Sequence, residues 1–321
     1  DGIRDRSPSR GLGDVYKRQA FTHTALYDKA ISNYLNGLDQ KNVDMPEVLD
    51  LQYKKWQDLR YGENPHQSAS FYRASSPSVP CVAWSKQLNG QPLSYNNLLD
   101  LEAALEIVRD FSDPTCVVIK HNNPCGLATH VDLGQAFLGA LDCDRVSAFG
   151  SIVGFNKEVD LNTANLLREE AKSGIKIEAI IAPDFTNEAL KQLSRVKTRR
   201  ILATGELEHD ESALHFRHIT SGILVQGLDS HDLSEKDLQV ATRRKPTENE
   251  IRSLFFSWKA SKHVKSNAIL LAQNTKTVGI GAGQMSRVDS SIIAVRKAGD
   301  RAKGAVLASD AFFPFPDGVE T

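Results

Sequence analysis

No run of about 18 apolar residues occurs in the 321-residue chain, which excludes a helical membrane span. The start, DGIRDRSPSRGLGDVYKRQ over residues 1 to 19, lacks the apolar stretch of a secretory signal. Charge of one sign is lacking as well. With 39 Lys and Arg against 40 Asp and Glu the net charge is −1, which gives no overall attraction to nucleic acid or to an anionic membrane. A local basic pocket for a phosphate remains compatible with that balance. The four cysteines, Cys81, Cys116, Cys125 and Cys143, have no C-x-x-C spacing and form no dense framework, so the expectation is reduced thiols in a cytoplasmic protein. An initiating Met is absent too: the chain opens at Asp1 and closes at Thr321, just after a dense aromatic motif, and reads as a piece of a longer protein.

What is present is an ordinary globular composition, 40% hydrophobic and 25% charged. At roughly 150 residues per domain the length allows about two domains. Residues 1 to 19 carry only Ile3, Leu12, Val15 and Tyr16 as large apolar residues, at no helical or strand period, and read as an extraneous or disordered leader. From Ala20, apolar residues recur at helical spacing through Phe21, Ala25, Ile31, Leu35 and Leu38, with Gly37 placed to end the helix. A polar, Pro-containing linker follows from Asp39 to Glu47.

Beyond it, strand-length apolar runs alternate with amphipathic segments of helix length. Strands are expected at 115–119, 150–155, 178–182, 222–226, 267–272, 277–280 and 304–308. Helices are expected at 100–109, 133–141, 161–172, 188–193, 248–263 and 290–301. This alternation predicts an α/β fold with a mixed, largely parallel sheet covered on both faces. Thr247 with Glu250 makes a capping box, and Asp289 can cap the helix after it. The pattern occurs in two stretches, about 99–203 and 248–309, which suggests two subdomains.

Four clusters carry chemistry. Lys120, His121, Asn122, Asn123, Pro124, Cys125 and Gly126 follow a strand, where open α/β sheets bind ligands. Adjacent strand residues point to opposite faces, so Lys120 and His121 share a site only if the strand ends between them. Gly126 permits a backbone turn. A surface Lys beside a turn-stabilising His fits the motif equally well. The second cluster runs from Arg60 and Tyr61 through Gly62, Glu63, Asn64, Pro65 and His66 to Gln67, and suits a loop around a ligand with Arg60 on a phosphate, or a polar turn. The third is Gly279 to Arg287, GIGAGQMSR. It is not G-x-G-x-x-G, which leaves close approach to another flat ligand or tight strand packing. The fourth, Ser309 to Gly318, holds three Phe among two Pro and offers a wall for a heteroaromatic ring or a piece of core.

Taken together, RYGENPHQ, KHNNPCG, SAFG at 147–150, SNAILLAQN, GIGAGQMSR and SDAFFPF resemble the transformylase part of the bacterial AICAR transformylase/IMP cyclohydrolase family over about residues 53 to 321. More weakly, residues 20–50 resemble the last helix of the preceding cyclohydrolase domain and its linker. The resemblance implies two cytidine-deaminase-like α/β/α subdomains, about 51–230 and 231–321, with a C-terminal segment still to follow. It implies a homodimer, no catalytic metal, and formyl transfer from the co-substrate 10-formyltetrahydrofolate to the 5-amino group of AICAR.

By motif match the resemblance makes His121 the general base, Lys120 the group that steadies developing charge or protonates the leaving folate nitrogen, and Asn267 a holder of the intermediate. Arg60, Tyr61, Phe149, Gly150, Glu178 and Phe312 fall on the nucleotide side. Met285, Arg287, Pro314, Phe315 and Asp317 fall on the folate side. One departure is Pro316, where the family has a basic residue. Two rival readings are a zinc nucleoside deaminase, which needs a second thiolate that Gly126, Leu127 and Ala128 do not supply, and an inactive nucleotide-binding piece.

Overall fold

A computed structural model describes residues 8–39, 45–208, 210, 213–231 and 233–321. Residues 1–7 of the expected leader and 40–44 of the expected linker lie outside the described residues. The chain divides between Gln52 and Tyr53 into two compact units. The first holds α1 (Pro8–Asp39), which starts well before the helix expected from Ala20 and runs on past Gly37.

The second unit contains, in chain order, β1 (Lys54–Leu59), β2 (Ala69–Arg73), β3 (Lys86–Asn89), α2 (Tyr95–Arg109), β4 (Thr115–Lys120), β5 (Asn123–Thr129), α3 (Leu133–Leu141), β6 (Ser151–Phe155), α4 (Leu161–Lys172), β7 (Ile177–Ala182), α5 (Asn187–Leu193) and β8 (Arg200–Ala203). It continues with β9 (Leu214–Ile219), β10 (Gly222–Gly227), α6 (Glu248–Ser261), β11 (Ile269–Gln273), β12 (Lys276–Gly281), α7 (Arg287–Ala298), β13 (Val306–Ser309) and α8 (Asp317–Glu320). Two pairs, β1–β2 and β9–β10, stand apart as two-stranded ribbons. The expected strand at 222–226 therefore exists, but outside the main sheet.

Nine strands form one mixed sheet in the order β13-β11-β12-β5-β4-β6-β7-β8-β3. The two expected strand–helix stretches share it. They join where Lys276 of β12 pairs with Ala128 of β5 and the Thr277 hydroxyl accepts from Leu127 N at 2.9 Å. Parallel pairing is narrower than the sequence suggested: β6, β7 and β8 are parallel, and the other neighbours are antiparallel. The reason lies in the connections. Parallel neighbours need a long crossover, which α4 and α5 provide, whereas tight turns join β4 to β5 and β11 to β12 and enforce reversal.

Helices cover both faces, and the period-2 alternation of each strand decides which. Cys116 and Val118 of β4 pack with α3, α4 and α5 on one face, while Val117 and Ile119 pack with α2 and α6 on the other. Helix α7 covers Ile269, Leu271 and Val278. The expected bounds of α3 and α4 hold because Asp132 and Asp160 cap them, accepting from Gln135 N and Thr163 N at 2.8 Å each. The capping box of Thr247 and Glu250 is present at α6. Asp289 is not a cap, because α7 begins earlier at Arg287 and leaves Asp289 in its first turn.

Candidate active site

Strand β4 ends at Lys120, so the condition for Lys120 and His121 to serve one site is met: His121 opens a two-residue turn into β5. Both turn residues are left-handed, His121 at φ 54° and Asn122 at φ 61°, which is the geometry that suits the twist of a tight hairpin. Non-glycine residues rarely adopt it, and two clamps hold the turn in place. Asp100 Oδ1 accepts from Asn122 N at 2.7 Å, and Asn123 Nδ2 donates to His121 O at 3.2 Å. Burial pushes the Asp100 carboxyl up, against the pull of the Asn122 amide. The His121 ring faces solvent.

Gly126 is not the turn glycine expected. It lies within β5, and a Cβ there would stand 1.8 Å from Ala140 O, so its role is to let α3 approach the strand. The same holds for Gly279 and Gly281, whose added Cβ atoms would meet the α7 backbone at 2.1 and 1.9 Å. Tight strand packing, one of the two readings of GIGAGQMSR, is realised at both.

Lys120 Nζ donates to the carbonyls of Phe149 and Gly150, at 3.1 and 3.0 Å. An ammonium has three donors, so one N–H remains for a ligand. Gly150, at φ +73°, leaves open the space between Lys120 and Glu178, since a Cβ there would lie 3.0 Å from Lys120 Nζ and 3.8 Å from Glu178 Oε1. Phe149 is exposed beside it. Glu178 also lines a cavity of about 410 to 510 Å³ class size, the one of ≈ 510 Å³ shared with Arg60 and Tyr61. Arg60 rests on the Tyr61 ring at 5.4 Å, and Gln67 closes the loop that carries them, its carbonyl accepting from Gly62 N at 2.8 Å.

Asn267 belongs to a second group. Its Nδ2 donates to the carbonyls of Gln284 and Met285 at 3.0 and 3.1 Å, and its Oδ1 accepts from Arg287 Nη2 at 2.8 Å. Arg287 also donates to Ser309 Oγ at 2.8 Å and pairs with Asp310. Asp310 in turn accepts from Ser266 Oγ and from Ala268 N. Burial opposes ionisation of Asp310, but Ser266, Arg287 and the Ala268 amide outweigh it and hold the carboxyl below its usual range. Arg287 is thus occupied within the fold, while Met285 is fully exposed. One bond ties the two groups: Lys265 N donates to Asn123 Oδ1 at 3.2 Å.

Phe312, Pro314, Phe315 and Asp317 are exposed after β13, joined to neither group by a hydrogen bond among the described residues. Phe313 is the aromatic of that segment that packs on the core. Burial pushes the Cys125 thiol up to about 12 and the Cys143 thiol to about 11, so both are protonated and inert at neutral pH. Among the described residues no three His, Cys, Asp or Glu side chains converge as a metal site would require. Sequence reasoning missed Asp100, Asn123, Asp310 and the two arginines Arg199 and Arg200, which also line the Arg60 cavity. Only the SDAFFPF motif held a signal for one of them, Asp310.

The AICARFT/IMPCHase bienzyme family model matches residues 9–297. A protein of Oceanobacillus iheyensis described as bifunctional purine biosynthesis protein PurH is 46% identical over 302 residues, covering 94% of this chain and 58% of that protein. A PurH protein of Bacillus cereus matches with the same 46% identity and the same coverage. The chain spans somewhat over half the length of the curated relatives it matches. It belongs to the AICARFT/IMPCHase bienzyme family.

Proposed function

We propose that this chain carries the formyl-transfer chemistry of its family, moving a formyl group from 10-formyltetrahydrofolate to the 5-amino group of AICAR to give FAICAR in purine biosynthesis. The observation that supports this most is the convergence of Lys120, Gly150 and Glu178 beside the turn that presents His121. The aminoimidazole nitrogen is a poor nucleophile because its lone pair is delocalised. Its attack on the formyl carbon needs a base for the amine proton and a donor for the oxyanion of the tetrahedral intermediate.

In this reading the exposed His121 ring takes the amine proton. The free N–H of Lys120 steadies the oxyanion or protonates the departing folate nitrogen, with Asn267 holding the intermediate from the other side. Arg60, Tyr61, Phe149, Gly150, Glu178 and Phe312 receive the nucleotide. Met285, Arg287, Pro314, Phe315 and Asp317 face the folate, Arg287 by fixing the loop of Asn267. No step calls on a metal, and the working form is a homodimer.

The test is a folate-dependent assay for FAICAR with this chain and with His121→Ala, which is expected to cut turnover by about 10² or more, the usual loss with a general base. Unchanged turnover in that variant removes His121 from the mechanism. Arg60→Ala is expected to weaken AICAR binding far more than folate binding.

A further inference from the structure

Arg199 and Arg200 stand where charge is costly. They retain only 4% and 7% of their surface, yet neither forms an ion pair with a carboxylate among the described residues. Arg199 Nε donates to Ile177 O at 3.3 Å and Arg200 Nε to Pro92 O at 3.1 Å, one N–H of the five that a guanidinium carries. Burial lowers the pKa of both, but a guanidinium does not shed its proton in water-accessible proteins, so the charge stays and needs an anion.

Both side chains line the cavity of ≈ 510 Å³ that also holds Arg60. Four basic side chains, Arg60, Lys176, Arg199 and Arg200, border it against one acid, Glu178, and that acid is engaged by Lys176 at 2.8 Å. Arg60 adds repulsion on Arg200. Forked guanidinium donors around one concavity match the oxygens of a tetrahedral dianion, and the volume lies within the range of small-molecule sites.

We propose that Arg199 and Arg200 form with Arg60 a buried cradle for a phosphate dianion, which makes the site selective for a 5′-phosphorylated nucleotide over its nucleoside. The proposal rests on the function above only in taking the phosphate to be that of the nucleotide. The cradle itself stands on these residues.

Calorimetry on this chain at matched ionic strength separates the sources, with inorganic phosphate, AICAR and the unphosphorylated riboside as titrants. Phosphate and AICAR are expected to bind, and the riboside to bind about 10²-fold more weakly than AICAR, the effect of losing one or two charge-assisted hydrogen bonds. Arg199→Met and Arg200→Met, checked for folding by circular dichroism, are expected each to weaken phosphate binding about tenfold or more and to leave the riboside unaffected. Riboside and nucleotide binding equally well overturns the proposal, as does wild-type phosphate affinity in both folded variants. If either variant fails to fold, the nucleotide-to-riboside ratio of the wild type decides. Loss of formyl transfer with phosphate binding intact removes the transfer reading and leaves the cradle. Transfer that treats nucleotide and riboside alike does the reverse.

Discussion

Two regions of the sheet hold arginines in opposite states. Around β11, β12 and β13, Arg287 spends its donors on Asn267, Ser309 and Asp310. Around β7 and β8, Arg199 and Arg200 are at least as deeply buried but reach only one backbone carbonyl each. A buried charge with a partner inside the chain belongs to the fold, and one without a partner points to something the chain is built to receive. By that criterion Arg287 shapes the loop of Asn267, and the Arg60 cavity is the place for an anion.

The sharpest way to break this contrast is to remove one arginine from each region. Arg287→Ala leaves the Asp310 carboxylate without its cation in a site where their side chains are only 11% and 19% exposed, and a loss of about 3–5 kcal/mol is expected in urea denaturation. Arg200→Met removes a charge that has no carboxylate partner and fills the space with an apolar chain, so stability is expected to change by less than about 1 kcal/mol. Equal losses in the two variants would erase the distinction between them.

That distinction was not legible in the sequence. KTRRIL reads as a solvated charge run ahead of a short apolar stretch, and nothing local shows that β7 on one side and β3 on the other enclose it. Other elements were plain. The helices at Leu133–Leu141 and Leu161–Lys172 announce themselves through an apolar stripe that follows an aspartate cap. Strand β5 was hidden because Pro124 argues against a strand interior and the hairpin turn is His-Asn, with no glycine to mark it. The site motifs were found as words, but their grouping came from the sheet. Lys120 meets Gly150 because β4 and β6 are neighbours, and Asn267 meets Arg287 because β12 leads the chain back past the start of β11.

Glu102 sharpens the comparison with a charge that can be given up. Burial, then repulsion from Glu106, pushes its carboxyl up to about 7 against the opposing pull of Arg109. Unlike a buried guanidinium, it can answer burial by taking a proton rather than a ligand. The folded chain then binds more protons than the unfolded one between pH 4.5 and about 7, so stability falls as pH rises through that window and levels off above it. Glu102→Gln is expected to remove the fall, making the variant about 3 kcal/mol more stable than wild type at pH 8 and equal to it at pH 4. Thermal melts across this range check it, and an unchanged slope in the variant would assign the pH dependence to other groups.

The smallest expected effect concerns the tie between the regions. Asn123 accepts from Lys265 N at 3.2 Å with one side-chain atom and donates to His121 O at 3.2 Å with the other, so it spans the turn of the proposed base and the loop of Asn267. Asn123→Ala is expected to cost about 1 kcal/mol, the net worth of ordinary hydrogen bonds that solvent partly replaces, and to speed hydrogen exchange at the Lys265 amide. The informative quantity is its coupling to Arg287→Ala. Lys265 adjoins Ser266, which donates to the Asp310 that Arg287 holds, so the two substitutions loosen the same loop from opposite ends. Their combined effect should depart from additivity by more than the roughly 0.3–0.5 kcal/mol seen for independent sites. Strict additivity would make the two regions separate devices that merely share a sheet, and the positioning of Asn267 against His121 would then have to come from the bound substrates rather than from the fold.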